Sequence, residues 1–273
     1  MSDIGQPLSA PLLTESTSRA RTGPLLVLEG ASKAFGGVRA VDDVSLSVPT
    51  GSVTGLIGPN GAGKSTVLSM IAGAIRPDRG RILLAGEDIT GLPSFRVARH
   101  GVIRTFQTAS VFPHLTVTEN LLLGVPPWWG ERIYASFIGR RSWRIQERDQ
   151  LGRAREILER LRLSAEADSY AGELSGGQKR LVEIGRAIMA RPRLLLLDEP
   201  MAGVNRILAG PIEELIADLR ATGMTVVLIE HELGIVERLC RPVIVLAEGR
   251  VLIEGEMEDV RADPDVRRAY LVG

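Results

Sequence analysis

The sequence predicts an α/β protein with a mainly parallel sheet, a small antiparallel β flank and an inserted helical segment. Three observations carry that prediction. Four short runs, "VTGLIG", "RLLLLDE", "TVVLIE" and "PVIVLA", are apolar with little alternation, as in parallel strands covered on both faces. An earlier pair of runs, near 25–30 and 43–48, alternates more, which suits antiparallel strands with one wetter face. Between about 108 and 190 the texture turns helical.

Taken in chain order, residues 1–24 are rich in Ser, Thr, Pro and Ala. They lack the basic start and apolar block of a secretory signal, so they read as a disordered tail on a cytosolic protein. The strand runs "LLVLEG", "VSLSV" and "VTGLIG" follow, then the helical "STVLSMIAGA", then "RILLAG" and "GVIRTF". "TVTE" at 116–119 has the form of a capping box, with Thr116 capping and Glu119 reaching back. Further on, Leu151, Ala154, Leu158 and Leu161 fall on one helical face. Across that face, Asp149 with Arg153 and Glu156 with Arg160 are spaced as i,i+4 ion pairs. The arginines of 140–162 therefore read as a solvated face rather than a nucleic-acid patch. Ser175 is placed to cap a helix whose inner face is Leu181, Ile184 and Ile188. The runs "RLLLLDE", "TVVLIE", "PVIVLA" and "RVLIEG" complete the strands.

Bulk properties narrow the function. A chain of 273 residues can bury a full core in one or two domains. Thirty-three basic residues balance thirty-three acidic ones, so no bulk field draws in nucleic acid or anionic lipid. The single cysteine, Cys240, excludes an intrachain disulfide and a cysteine zinc site, and it reads as a small buried apolar residue. No apolar run approaches the roughly 18 residues of a membrane span.

The chemistry begins at "LIGPNGAGKST". Gly58, Pro59, Asn60, Gly61, Ala62, Gly63, Lys64, Ser65 and Thr66 have the spacing of a phosphate-binding loop, set between a strand and a helix as that loop requires. The glycines let backbone amides curl around phosphate oxygens, and the helix start adds its unpaired donors. Lys64 is placed to neutralise the β- and γ-phosphates, Ser65 to ligate Mg²⁺ and Thr66 to assist at the α-phosphate of a nucleoside triphosphate. "RLLLLDEP" delivers two carboxylates at a strand end: Asp198 for Mg²⁺ and Glu199 as general base on the attacking water. Finally "LSGGQ", with Ser175, Gly176, Gly177 and Gln178, offers a second helix start with bare amides. One triphosphate does not obviously need two such sites, so the economical reading is a composite site completed by a neighbouring molecule.

With these companions in this order, the chain resembles the ATP-binding-cassette (ABC) family over about 25–273. The resemblance implies a P-loop NTPase fold with a RecA-like sheet. Residues 25–107 and 190–273 would form the catalytic core and 108–189 a helical subdomain. It implies that Phe35 stacks on adenine, although on the sequence alone a core position fits it equally. It also implies that Gln107 is the lid glutamine touching Mg²⁺ and that His231 is the switch histidine meeting the γ-phosphate. The short stretch between Lys64 and Ser175 has no room for the long coiled coils of chromosome-maintenance and break-repair relatives. A single cassette sets it apart from the translation factors. "GVIRTFQTASVFPHLTVTENLLLG", the "AGVN" turn and the C-terminal segment are similar to ATP-binding subunits of branched-chain amino acid importers. Urea importers and lipopolysaccharide exporters are close cousins, and a soluble cassette acting on nucleic acid or the ribosome is the alternative of another class.

The importer resemblance implies an ATPase on the cytoplasmic face of the inner membrane. Its partners would be two transmembrane permease subunits and a second cassette, identical or similar, sandwiching ATP; an external solute-binding protein would act indirectly, and no nucleic acid is expected. Asn205, Met201 and Arg206 depart from the usual pattern, which bears on communication between the ATP sites. Five of the eleven aromatics crowd into 128–143. Packing within the helical subdomain is the preferred reading for them over an apolar face toward a membrane partner.

Overall fold

A computed structural model describes residues 23–105, 110–126, 140–204 and 206–272. The predicted tail lies outside the described residues up to residue 22, whereas Pro24 at its predicted end already opens the first strand; most of the aromatic-rich segment, Gln107 and Asn205 also lie outside. The central sheet has strand order β10-β9-β3-β8-β7-β6. It comprises β3 (Val53–Ile57), β6 (Val102–Arg104), β7 (Leu194–Asp198), β8 (Thr225–Ile229), β9 (Val243–Ala247) and β10 (Arg250–Gly255). All pairings are parallel except that of β10, which closes one edge antiparallel to β9. The flank is an antiparallel sheet of order β2-β1-β4-β5, from β1 (Pro24–Phe35), β2 (Val38–Pro49), β4 (Arg79–Leu84) and β5 (Glu87–Asp88). The two alternating runs pair as expected, and "RILLAG" joins them as β4, with β5 at the edge.

Every residue of β3, β7, β8 and β9 is buried. The reason is that two hydrophobic cores lie on opposite faces of the sheet. Leu195, Leu197, Val226, Leu228, Val243 and Val245 enter one core, and their neighbours Leu194, Leu196, Val227, Ile229, Ile244 and Leu246 enter the other. A strand with an apolar environment on both sides has no face left for polar residues, which is why the runs do not alternate.

The second core is closed by the flank sheet and by α1 (Lys64–Ile71), with Val97 of α2 (Ser94–Arg99) at its margin. The first core is closed by α3 (Val117–Leu122), α4 (Arg140–Arg160), α5 (Gly176–Met189), α6 (Arg206–Ala221), α7 (Leu233–Leu239), α8 (Met257–Ala262) and α9 (Pro264–Val272). The capping box of α3 forms as predicted: Glu119 N–H donates to Thr116 Oγ1 at 3.1 Å, and Glu119 Oε2 accepts from Thr116 N–H at 2.7 Å. The predicted face of α4 also holds, since Ala154, Leu158 and Leu161 are buried and Leu151 is half-buried. Cys240 is buried as expected, and burial pushes its thiol up to about 12.

The charged face of α4 differs from expectation. Arg153 is buried and donates to the Ile188 carbonyl of α5 at 3.0 Å instead of pairing with Asp149. Burial and the nearby Arg191 pull its guanidinium down to about 10. Arg160 pairs with Asp218 of α6 at 3.0 Å rather than with Glu156, and Arg162 just beyond it pairs with Glu214 at 2.9 Å. Arg153 thus ties α4 to α5 from inside, while Arg160 and Arg162 reach acids of α6 with side chains 35% and 64% exposed, so for these two the solvated-face reading holds although their partners differ. No helix among the described residues is long and apolar enough to cross a membrane.

Candidate active site

The loop after β3 is shaped by three glycines. A Cβ on Gly58 would lie 2.0 Å from the Leu246 carbonyl oxygen, and one on Gly63 (φ 99°) would lie 2.4 Å from the Ala40 carbonyl oxygen. Only glycine fits where backbone passes backbone this closely. Gly61, at φ 80°, faces open space instead. The helix that follows has no side-chain cap and no acidic residue in its first turn. Its leading amides are therefore unopposed, the condition for holding an anion.

Lys64 is buried and curls over the loop, donating from Nζ to the carbonyls of Gly58 at 2.8 Å and Pro59 at 2.9 Å. An ammonium carries three protons, so one donor remains for a phosphate oxygen. Burial pulls the ammonium below the usual lysine range, while Glu199 and Asp198 act in the opposite direction. Ser65 lies exposed at the helix start.

Asp198 ends β7 and is 3% exposed. Its Oδ2 accepts from Arg104 Nη2 at 2.8 Å, and Arg104 Nη1 also donates to Ser69 Oγ on α1 at 2.7 Å. The second oxygen, Oδ1, is buried with no hydrogen-bond partner. An orphaned carboxylate oxygen is the kind of hard-oxygen donor that suits Mg²⁺, an ion that keeps most of its waters. Glu199 follows in left-handed backbone, φ 49°, a conformation that costs a non-glycine residue about 1–2 kcal/mol. Its N–H donates to the Ile229 carbonyl at 3.1 Å, and its Oε1 lies 2.8 Å from His231 Nε2. Glu230, at the end of β8, accepts from the amides of Met201 at 3.0 Å and His231 at 3.3 Å. Burial raises its carboxyl above the ordinary glutamate range. The structure thus brings together Asp198, Glu199 and His231 beside the loop lysine.

Phe35 stands 47% exposed at the end of β1, with Lys33 Nζ 5.7 Å from its ring centroid. The core position that the sequence also allowed is therefore overturned: the ring projects from the flank sheet and has a free face. At the other candidate anion site, Ser175 and Gln178 form a capping box. Gln178 N–H donates to Ser175 Oγ at 3.3 Å, and Gln178 Oε1 accepts from Ser175 N–H at 3.0 Å. Gln178 Nε2 donates to Glu166 at 3.1 Å. A Cβ on Gly176 would meet nothing within 4 Å, so this helix start is open to its surroundings. Among the described residues, no hydrogen bond or ion pair joins 175–178 to the loop at 58–66.

Three residues at the site escaped the sequence reading: Arg104, Arg180 and Glu230. Arg104 and Glu230 each carry a charge at an otherwise apolar stretch, "VIRTF" and "VVLIE", and that misplacement was the available signal; Arg180, in "KRLVEIG", stands among other charged residues and offered none.

With this geometry in place, the comparisons with known proteins fall into line. The family model described as ABC transporter matches residues 41–202. The high-affinity branched-chain amino acid transport ATP-binding protein BraF of Pseudomonas aeruginosa is 41% identical over 249 residues, covering 91% of this chain and 98% of that protein. A crystal structure of the ADP conformation of an ATP-binding cassette of an ABC transporter superposes with a TM-score of 0.77 at 40% identity, covering 91% of this chain and 98% of that one. A dimeric structure of a post-hydrolysis cassette bound to ADP and Pi matches at 26% identity with a TM-score of 0.70, covering 85% of this chain and 98% of that one.

Proposed function

Because the chain belongs to the ABC transporter family, as an ATP-binding and ATP-hydrolysing subunit, we propose that it powers uptake of branched-chain or other amino acids. In this reading it works as one of two cassettes beneath two transmembrane permease subunits, peripheral on the cytoplasmic face of the inner membrane. An external solute-binding protein delivers the cargo and touches the cassettes only indirectly. The observation that carries the composite site is the pair of open amide clusters in one chain, at 58–66 and 175–178, which no hydrogen bond joins among the described residues. Each is half of an anion site, and a second cassette of the same kind supplies the missing half to both.

In this reading the residues divide the work as follows. Phe35 stacks on adenine, and the amides of Gly58–Thr66 wrap the phosphates with Lys64 across the β- and γ-groups. Ser65, Asp198 through its free oxygen, and Gln107 would hold Mg²⁺, which would neutralise phosphate charge as the terminal bond breaks. Glu199 takes the proton of the attacking water as its oxygen bonds to the γ-phosphorus and the bond to ADP breaks. His231, hydrogen-bonded to Glu199, orients that carboxylate and meets the γ-phosphate. Ser175, Gly176, Gly177 and Gln178 of the partner cassette close over the triphosphate. Closure and hydrolysis then move the permeases.

The test is purification from detergent-solubilised membranes, paired with uptake assays on a deletion strain. Two hydrophobic permeases and a sister cassette should accompany the protein, and branched-chain amino acid uptake should be lost and not restored by Lys64→Ala or Glu199→Gln. Normal uptake in the deletion strain, or ribosomal companions in place of permeases, would overturn the proposal.

A further inference from the structure

The turn that carries Glu199 is held from two sides. On the β8 side, the Ile229 carbonyl takes the Glu199 amide and Glu230 takes the Met201 amide. On the other side stands Arg180, on the helix that starts at the LSGGQ turn. It is 3% exposed, and Nη2 donates to the Asp198 carbonyl at 2.6 Å and the Glu199 carbonyl at 3.2 Å, while Nε points to the Pro200 carbonyl at 3.4 Å. Three successive carbonyls converge on one guanidinium because the left-handed residue at 199 turns them the same way. Glu183, one turn along and equally buried, accepts from Arg180 Nη1 at 2.7 Å and balances its charge.

We propose that Arg180 is a positioning residue for hydrolysis, clamping the strained turn so that the Glu199 carboxylate is held beside His231. The proposal rests on the role given to Glu199 above. The planar fork of an arginine can serve several acceptors at fixed angles, which a lysine ammonium cannot. A buried cation with its own counter-ion, aimed at main-chain oxygens rather than at side chains, also fixes backbone direction. In a strained turn, backbone direction decides where the side chain points. The clamp starts one turn from the amides at 176–177.

The experiment measures kcat, KM and binding of a fluorescent ATP analogue for the full chain as wild type, Arg180→Lys, Glu183→Gln, Glu199→Gln and the Arg180→Lys/Glu199→Gln double variant. Arg180→Lys should lower kcat about 10- to 100-fold, the scale of a misplacement of about 1 Å, while analogue affinity and KM stay within about twofold. In the Glu199→Gln background the lysine change should add less than about twofold, since groups acting as one unit do not sum. Glu183→Gln keeps the arginine but frees it, and should show the same split between kcat and KM. It serves as the readout if Arg180→Lys fails to fold. Unchanged kcat in both single variants, a loss that tracks nucleotide affinity, or a full extra loss on top of Glu199→Gln overturns the proposal alone. A Glu199→Gln variant as active as wild type overturns the reading beneath it as well.

Discussion

Replacing Arg104 with methionine isolates what the buried pair with Asp198 is worth. The two side chains are 13% and 4% exposed and meet at 2.8 Å, so Asp198 keeps little water to stand in for the lost guanidinium. Removing one partner of such a pair costs about 3–5 kcal/mol, chiefly because the other charge is left buried without compensation. Against the roughly 5–15 kcal/mol that holds a domain together, the fraction lost is large. With a urea m-value of about 2–3 kcal/mol/M, the unfolding midpoint should fall by about 1–2.5 M. The assay is urea denaturation followed by circular dichroism in nucleotide-free protein. An Arg104→Met/Asp198→Asn double variant removes both charges and should recover at least half of the loss. A midpoint within about 0.3 M of wild type for the single variant, an amount no larger than a typical net hydrogen bond, would refute the reasoning. So would a double variant less stable than the single one.

Gly63→Ala places a methyl group against the Ala40 carbonyl in left-handed backbone, so nucleotide affinity should fall at least about tenfold with the far-ultraviolet spectrum unchanged; unchanged affinity would refute it. Glu230 has its carboxyl raised by burial, so its contribution to stability is present below the unfolded glutamate value and lost as pH rises through the higher folded one. Thermal melts from pH 4.5 to 8 should therefore show Glu230→Gln gaining on wild type as pH rises; a gap that is flat or narrows would contradict this. Cys240, with its thiol at about 12 and its side chain buried, should resist iodoacetamide at pH 8 in the folded protein and react in urea; rapid labelling of the native protein would count against the burial described.

The sheet and the loop were legible because their signals are local. Four leucines before Asp198 imply a strand covered twice, and the spacing from Gly58 to Ser65 implies a cradle whichever way the rest of the chain runs. The capping box of Thr116 with Glu119 and the helix cap at Ser175 close over three residues and were readable for the same reason, although the return bond from Gln178 was not foreseen. What was hidden is non-local. Arg104 meets Asp198 across 94 positions, Arg180 meets the Asp198 carbonyl across 18, and Glu230 meets Met201 across 29. Arg153 and Arg160 show the converse error. Helical spacing offered each a nearby acid, yet both turned to α5 and α6, which sequence spacing cannot place beside them.

The four leucines of β7 are interchangeable by size and chemistry, and alternate members serve opposite cores. A slip of one position would therefore swap like for like, and greasiness cannot police the alignment of this strand with β8. What resists the slip is the cargo at its tip. Sliding by one would thrust Asp198 into oil or pull Glu199 away from its histidine, so these two acids themselves act as the stop that sets how far the strand is threaded.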